Sequence, residues 1–169
     1  MNPRFRTLKT TAGYVGFVAS NRGLRRVYLP ARTAGALKRA IRKDAPNAIE
    51  DRRLLPDFAG TLQRYFAGQP VNFNVKIDWA DRSDFDVDVY HACRRIPYGR
   101  TRSYKQLAEQ VGRPGAARAV GNAMRTNDCP IVVPCHRVLK SDGSLGGFSG
   151  PDGINTKRRL LRMEAAALT

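Results

Sequence analysis

The sequence predicts two units in series: a small α/β unit over residues 1–80 and a mostly helical unit with a helix-turn-helix over residues 81–169. Three observations lead there. The chain opens on short β-patterned runs separated by turn residues. Its charge pattern changes abruptly near residues 78–82. Beyond that point lies a helix–glycine–helix pattern with a legible capping box.

Arg4 to Lys9, Tyr14 to Ser20 and Leu24 to Leu29 are predicted strands. Thr11-Ala12-Gly13 and Asn21-Arg22-Gly23 supply tight turns, so an antiparallel meander is expected. Ala34 to Lys43 has helical composition and ends before Pro46. Leu54 to Ala67 repeats Leu55, Phe58, Leu62, Tyr65 and Phe66 at helical spacing, with Gly68 to close it. Val71 to Ile77 alternates apolar and polar residues and predicts a further strand. No repeat and no catalytic signature interrupts this first unit, which is expected to act as a support.

In the second unit Ser83, followed by Asp86, predicts a helix start whose apolar face carries Phe85, Val89, Cys93 and Ile96. Cys93 on that face is expected in the core, because an unpaired cysteine packs as a small hydrophobe. Ser103-Tyr104-Lys105-Gln106 is a capping box, and Gly112 stands where a C-terminal cap belongs. Pro114 is placed to open a second helix, Gly115 to Arg125. That helix is built from Ala116, Ala117, Ala119, Val120, Gly121 and Ala123 and so allows close approach to a neighbour, either the protein's own core or a nucleic-acid groove. Arg118 is the long side chain in the middle of it. Asn155 to Ala167 predicts a last helix with Leu160, Leu161, Glu164 and Leu168 on one face. A carboxylate there needs a partner, and His136 is the candidate.

The totals narrow the classes. A hydrophobic fraction of 42% and a charged fraction of 26% fit a globular protein. No apolar run is long enough to span a bilayer. Residues 1–9 hold no apolar signal core, so a cytoplasmic location is expected. Three cysteines, Cys93, Cys129 and Cys135, suit a reducing compartment better than a disulfide framework. Their spacing, with only His91 and His136 available, fits no common zinc pattern, so no metal and no cofactor is expected. The net charge of +16 favours a polyanionic partner. Residues 91–140 carry ten basic side chains against Glu109 and Asp128, so the positive field surrounds one stretch in particular.

That stretch is Ile131-Val132-Val133-Pro134-Cys135-His136-Arg137-Val138. The apolar run predicts a short buried strand that stops at Pro134, which has no N–H for a ladder. Cys135 would then sit at the end of a rigid element, beside His136 and Arg137, the neighbourhood a thiol needs to become a nucleophile. The loop from Ser141 to Pro151 contains Gly143, Gly146, Gly147 and Gly150, with Phe148 free to pack on the core or stack on a base. Asn127 is either a turn residue or a tie between the small-residue helix and the cysteine segment.

Pro134-Cys135-His136-Arg137-Val138 is similar to the active-site motif of the O6-alkylguanine-DNA alkyltransferases. Ile96-Pro97-Tyr98-Gly99, Ser103-Tyr104, Ala116 to Gly121, Asn127 and Ser149-Gly150 resemble that family in the same order. The likeness covers about residues 84–165 strongly and the first 80 in outline. It implies a ribonuclease H-like first domain and a winged helix-turn-helix second domain. It implies that Cys135 accepts the alkyl group, that His136 deprotonates it through a water, and that Glu164 orients the imidazole. Arg118 corresponds to the finger that replaces a flipped nucleotide, and Tyr104 to the tyrosine that rotates the phosphate and protonates the guanine. Asn127 corresponds to the hinge asparagine. Val138, Phe148, Ser149 and Gly150 correspond to the base pocket, and Ala117 and Arg125 to the DNA-facing helix. Phe148 departs from the tyrosine that many family members carry, so a hydroxyl contact is absent. The first unit has no cysteine or histidine, so the zinc site of some family members cannot form.

The partner implied is double-stranded DNA containing O6-alkylguanine, bound by a monomer, with cooperative binding along DNA a possible extension. Arg102, Lys105, Arg113 and Arg125 are candidate phosphate contacts. A non-catalytic damage sensor is disfavoured by the presence of Cys135. A transcription factor leaves the Cys-His-Glu set unexplained, and a redox enzyme lacks a resolving cysteine at the usual spacing.

Overall fold

The computed structural model describes residues 1–150 and 152–169, so Pro151 of the expected glycine loop lies outside the described residues. The chain divides into Met1–Trp79 and Ala80–Thr169.

In the first unit β1 (Arg4–Thr10), β2 (Gly13–Ser20) and β3 (Gly23–Ala31) form the expected meander. Phe5 pairs with Val18 across β1 and β2, and Phe17 with Val27 across β2 and β3. Strand alternation sends Val18 and Phe17 to opposite faces of the sheet. On one face Phe5 and Val18 pack with Leu37 and Ile41 of helix α1 (Ala34–Asp44). On the other, Phe17 meets Phe58 of helix α2 (Pro56–Phe66) edge to face at 4.9 Å. A helix covers each face, which is why β2 reads as almost continuously apolar.

Two expectations change. Val71 to Ile77 is not a strand; Ile77 makes one isolated parallel bridge to Leu24. Phe73 packs on Phe58 and Tyr65, each at 5.8 Å between ring centres. The alternation therefore reports burial on one side, and the pairing with Leu24 is made at its end, where the Leu24 amide donates to the Lys76 carbonyl and the Asp78 amide donates to the Leu24 carbonyl. Conversely, the two-residue strand β4 (Ile49–Glu50) pairs parallel to Arg4 and Phe5 and makes the sheet mixed, in the order β3-β2-β1-β4. Two exposed residues carry no pattern that would announce a strand.

In the second unit the Ser83 hydroxyl caps helix α3 (Asp84–Arg94) by accepting the Asp86 amide at 3.1 Å. Strand β5 (Arg102–Ser103) leads into helix α4 (Tyr104–Gln110), where the capping box is complete in both directions. Helix α5 starts at Ala117 and runs to Arg125, two residues later than expected. Pro114 lies in the preceding turn, which closes through the Ala116 amide and the Arg113 carbonyl at 2.9 Å. Tyr90 of α3 donates its hydroxyl to the Ala123 carbonyl at 2.9 Å, tying α3 to α5 in the core. Helix α6 spans Ile154–Ala167; Leu160 and Glu164 are buried, whereas Leu168, just past the helix end, is 54% exposed.

The segment before Cys135 is not a strand either. Ile131, Val132 and Val133 are buried as expected, but they form a turn closed by the Val133 amide on the Cys129 carbonyl at 2.9 Å. Pro130 and Pro134 bracket it and deny a ladder two donors. Ile131 sits at φ 74°, a conformation that costs a β-branched residue on the order of 1–3 kcal/mol. Cys135–Arg137 then forms one 3-10 turn, and β6 (Val138–Leu139) pairs parallel with β5.

Candidate active site

Cys135 lies at the base of a cavity of about 960 Å³. Tyr104, Ala117, Arg118, Arg125, Phe148 and Ser149 are among its walls. Arg118 and Arg125 are exposed on α5, at the lip. The Ser149 hydroxyl donates to the Arg125 carbonyl at 2.9 Å and fixes the glycine loop to the end of α5. Gly146 makes the loop's close approach possible: it has φ +70°, and a Cβ there would fall 2.9 Å from the Tyr104 hydroxyl oxygen. Of the expected pocket residues, Val138 is wholly buried, and neither it nor Gly150 is among the cavity's walls.

Behind the sulfur is a compact charged cluster. The His136 Nε2 lies 2.6 Å from Glu164 Oε1, so the expected pair exists. Arg137 adds three contacts to the same carboxylate: Nε donates to Oε2 at 2.9 Å and to Oε1 at 3.2 Å, and Nη2 donates to Oε1 at 2.9 Å. The Gly99 amide donates to Oε2 at 3.1 Å. Burial pushes the Glu164 carboxyl up, but hydrogen bonds from His136 and Arg137 outweigh it and hold the group well below the usual carboxylate range. An ionised carboxylate can only accept, so His136 carries its hydrogen on Nε2 and Nδ1 is the basic nitrogen.

Burial is also the chief cause lowering the imidazole's pKa, although Glu164 opposes it. The Cys135 thiol is pushed up by burial, with Asn127 and Lys157 pulling the other way. The resting pair is therefore a neutral thiol beside a neutral base, in place of a standing thiolate–imidazolium pair. The chain removes water from the sulfur more effectively than it supplies positive charge.

Asn127 donates from Nδ2 to the Val133 carbonyl at 2.9 Å and accepts the Cys129 amide on Oδ1 at 3.0 Å. It ties the end of α5 to the turn that carries Cys135, the second of the two readings open from sequence. Cys93 is fully buried on α3, as expected.

Lys157 is the residue that sequence reading missed. It is fully buried; its Nζ donates to the Val138 carbonyl at 2.6 Å and lies 3.4 Å from the Tyr104 hydroxyl. Burial lowers it to about 8, and the thiols of Cys135 and Cys93 oppose that shift. One signal could have found it: Lys157, Leu160 and Glu164 are spaced at helical intervals on the face assigned to packing. Arg137 was read only as a cationic neighbour, yet it is the main partner of Glu164. Among the described residues no group of three or more His, Cys, Asp or Glu is placed to hold a metal ion.

Residues 84–166 match the family model for the 6-O-methylguanine DNA methyltransferase DNA-binding domain. A methylated-DNA–protein-cysteine methyltransferase of Mycobacterium tuberculosis is 40% identical over 160 residues, covering 92% of this chain and 84% of the relative. The inducible protein of that name in Bacillus subtilis is 40% identical over 119 residues, covering 70% of this chain and 65% of the relative. The crystal structure of Mycobacterium tuberculosis OGT in complex with DNA superposes with a TM-score of 0.79 at 35% identity, over 97% of this chain and 94% of that one. With its fold and its Cys-His-Glu cluster alike in place, the chain belongs to the methylated-DNA–protein-cysteine methyltransferase family.

Proposed function

We propose that the protein repairs duplex DNA by moving the alkyl group of O6-alkylguanine irreversibly to Cys135, one group per molecule. The observation that carries this reading is the position of Cys135 at the base of a cavity, backed by the buried His136–Glu164 pair. The α4–turn–α5 element with β5 and β6 acts as a winged helix-turn-helix, and the first unit is a ribonuclease H-like support for it.

A guanine inside a duplex hides its O6 substituent, so the base must leave the stack, at a cost that is lower when damage has weakened its pairing. Arg118, exposed on α5 at the cavity lip, fills the gap. The small residues of α5, Ala117 among them, let its backbone approach the groove. Arg125, Arg102, Lys105 and Arg113 contact phosphates. Phe148 walls the base by apolar contact, and Ser149 meets its edge.

As the sulfur attacks the alkyl carbon, the thiol proton passes to Nδ1 of His136, and Glu164 stabilises the imidazolium that forms. The new C–S bond replaces the C–O bond. The guanine takes up one proton, supplied by Tyr104, whose hydroxyl stays protonated until then because burial raises its pKa. The His136 imidazolium then releases its proton to solvent, and Tyr104 regains one from solvent. The net change is thiol plus alkylguanine to thioether plus guanine. Lys157 fixes the Val138 carbonyl and places positive charge near the developing thiolate. A thioether is not readily hydrolysed, so the protein is spent, and no cofactor is consumed.

The test is duplex DNA carrying labelled O6-methylguanine. One label per protein is expected, on Cys135, and none in Cys135→Ser. Repeated turnover, or label on Cys93 or Cys129, overturns the reading. Arg118→Ala is expected to slow repair in duplex more than reaction with a free alkylguanine base.

A further inference from the structure

We propose that the outward ridge of α1, formed by Arg39, Arg42 and Lys43, is a second contact surface for the DNA backbone, carried by the unit that holds no cysteine. The choice of DNA among polyanions rests on the function proposed above. The ridge itself rests on charge and geometry.

The first unit has fifteen Lys and Arg against five Asp and Glu; the second has fifteen against nine. The larger excess therefore belongs to the unit without the acceptor thiol. Four of the first unit's five acids are already engaged. Asp51 pairs with Arg4 at 2.8 Å, Asp44 with Arg26 at 2.6 Å and Glu50 with Lys38 at 2.9 Å. Asp78 lies 3.5 Å from Arg22 and 3.6 Å from Arg25. Arg39, Arg42 and Lys43 are exposed, and among the described residues no carboxylate pairs with them.

Helical spacing of about 100° per residue puts the three on one side. Leu37 and Ile41 are buried against the sheet. Arg39 points directly away from them, with Arg42 about 60° to one side and Lys43 about 40° to the other. Gly35, Ala36 and Ala40 around them are small. Favourable interaction with the helix dipole accounts for Arg42 and Lys43 in the last turn, but not for Arg39 in the middle. Like charges three and four residues apart repel one another, and α1 has no acid in its first turn to offset them. A polyanion lying along the ridge removes that repulsion. The exposed side has no aromatic or large apolar side chain to stack on bases or to enter a lipid surface. What it can recognise is a row of phosphates, without sequence preference.

The full-length protein with Arg39→Gln, Arg42→Gln and Lys43→Gln together tests this. A control with Arg52→Gln, Arg53→Gln and Arg64→Gln removes the same charge from the same unit. Binding to undamaged duplex is measured across a salt series. Each phosphate contact contributes about 0.9 to the slope of log affinity on log salt. The ridge variant is expected to lose about 2–3 from that slope, and the control less than one. Equal losses in the two variants would make the effect one of overall field and overturn the proposal, as would an unchanged slope in the ridge variant. Alkyl transfer from a free alkylguanine base is expected to stay at the parent rate in both. If the parent protein transfers nothing, the functional reading fails while the slope comparison still stands.

Discussion

The two units bury different things. The first closes mainly on apolar and aromatic side chains: Phe5, Val18, Leu37 and Ile41 on one face of its sheet, Phe17, Phe58 and Tyr65 on the other. The second buries His136, Arg137, Lys157 and Glu164 within its core. Buried charge is a poor way to gain stability, because desolvation offsets most of the attraction. The second unit gathers four buried ionisable side chains behind one sulfur, an arrangement placed for chemistry. In the first unit the buried carboxylate of Asp78 is paired with Arg22 and Arg25 and held by the Ser20 hydroxyl, and the rest of that interior is packing.

That contrast can be broken at graded points. The largest effect is expected for His136→Ala, which removes the base: transfer to Cys135 should fall by about 10²–10⁴-fold, as followed by single-turnover kinetics. Glu164→Ala should cost both properties, since it leaves Arg137 buried without its carboxylate; about 3–5 kcal/mol of stability is expected to go, by denaturant titration. Leu37→Ala should cost about 2–5 kcal/mol by opening a cavity in the first unit, with transfer from a free base unaltered. A large change in that rate would mean the two units are not functionally separable.

Lys157→Met sharpens the comparison at its least expected residue. The lysine loses its charge as pH rises through about 8, so its pull on the Cys135 thiol is complete below that value and fades above it. The variant should react about tenfold more slowly near neutrality, and the gap should close at higher pH. Equal pH profiles would remove Lys157 from the reaction. The smallest effect is at acid pH. Glu164 has its folded value depressed from an ordinary 4.5, so its stabilisation is fully present above that pH and is lost as pH falls below it. Glu164→Gln should flatten the acid limb of the stability curve relative to the parent.

The residues most legible in advance were those whose signal is local. Ser103 and Gln106 cap α4 because a capping box needs only four consecutive residues. The meander follows from alternation and turn residues, and Pro134-Cys135-His136 from contiguity. Glu164 was reached by a longer step, that an acid on an apolar stripe needs a partner. Lys157 and the carboxylate-facing role of Arg137 were missed, because a basic side chain ordinarily extends to water, and only a carbonyl or carboxylate brought from elsewhere in the chain holds it inside. Val71–Ile77 and Ile131–Val133 were misread for the complementary reason. Apolar patterning states that a segment will be buried, but a strand also needs a neighbour with free backbone groups. Phe73 found aromatic rings without a ladder, and the Ile131 turn lies between two prolines that cannot donate.

By itself, then, the sequence determined the locally encoded features: three paired strands, the capped starts of α3 and α4, the acceptor motif and the net charge, all of which depend on neighbours a few positions apart. Tertiary structure alone decided the protonation states at the site. Those depend on how much water is excluded from Cys135 and which distant groups, Lys157 and Glu164 above all, are brought against it, and a solvation energy is a property of the folded surroundings.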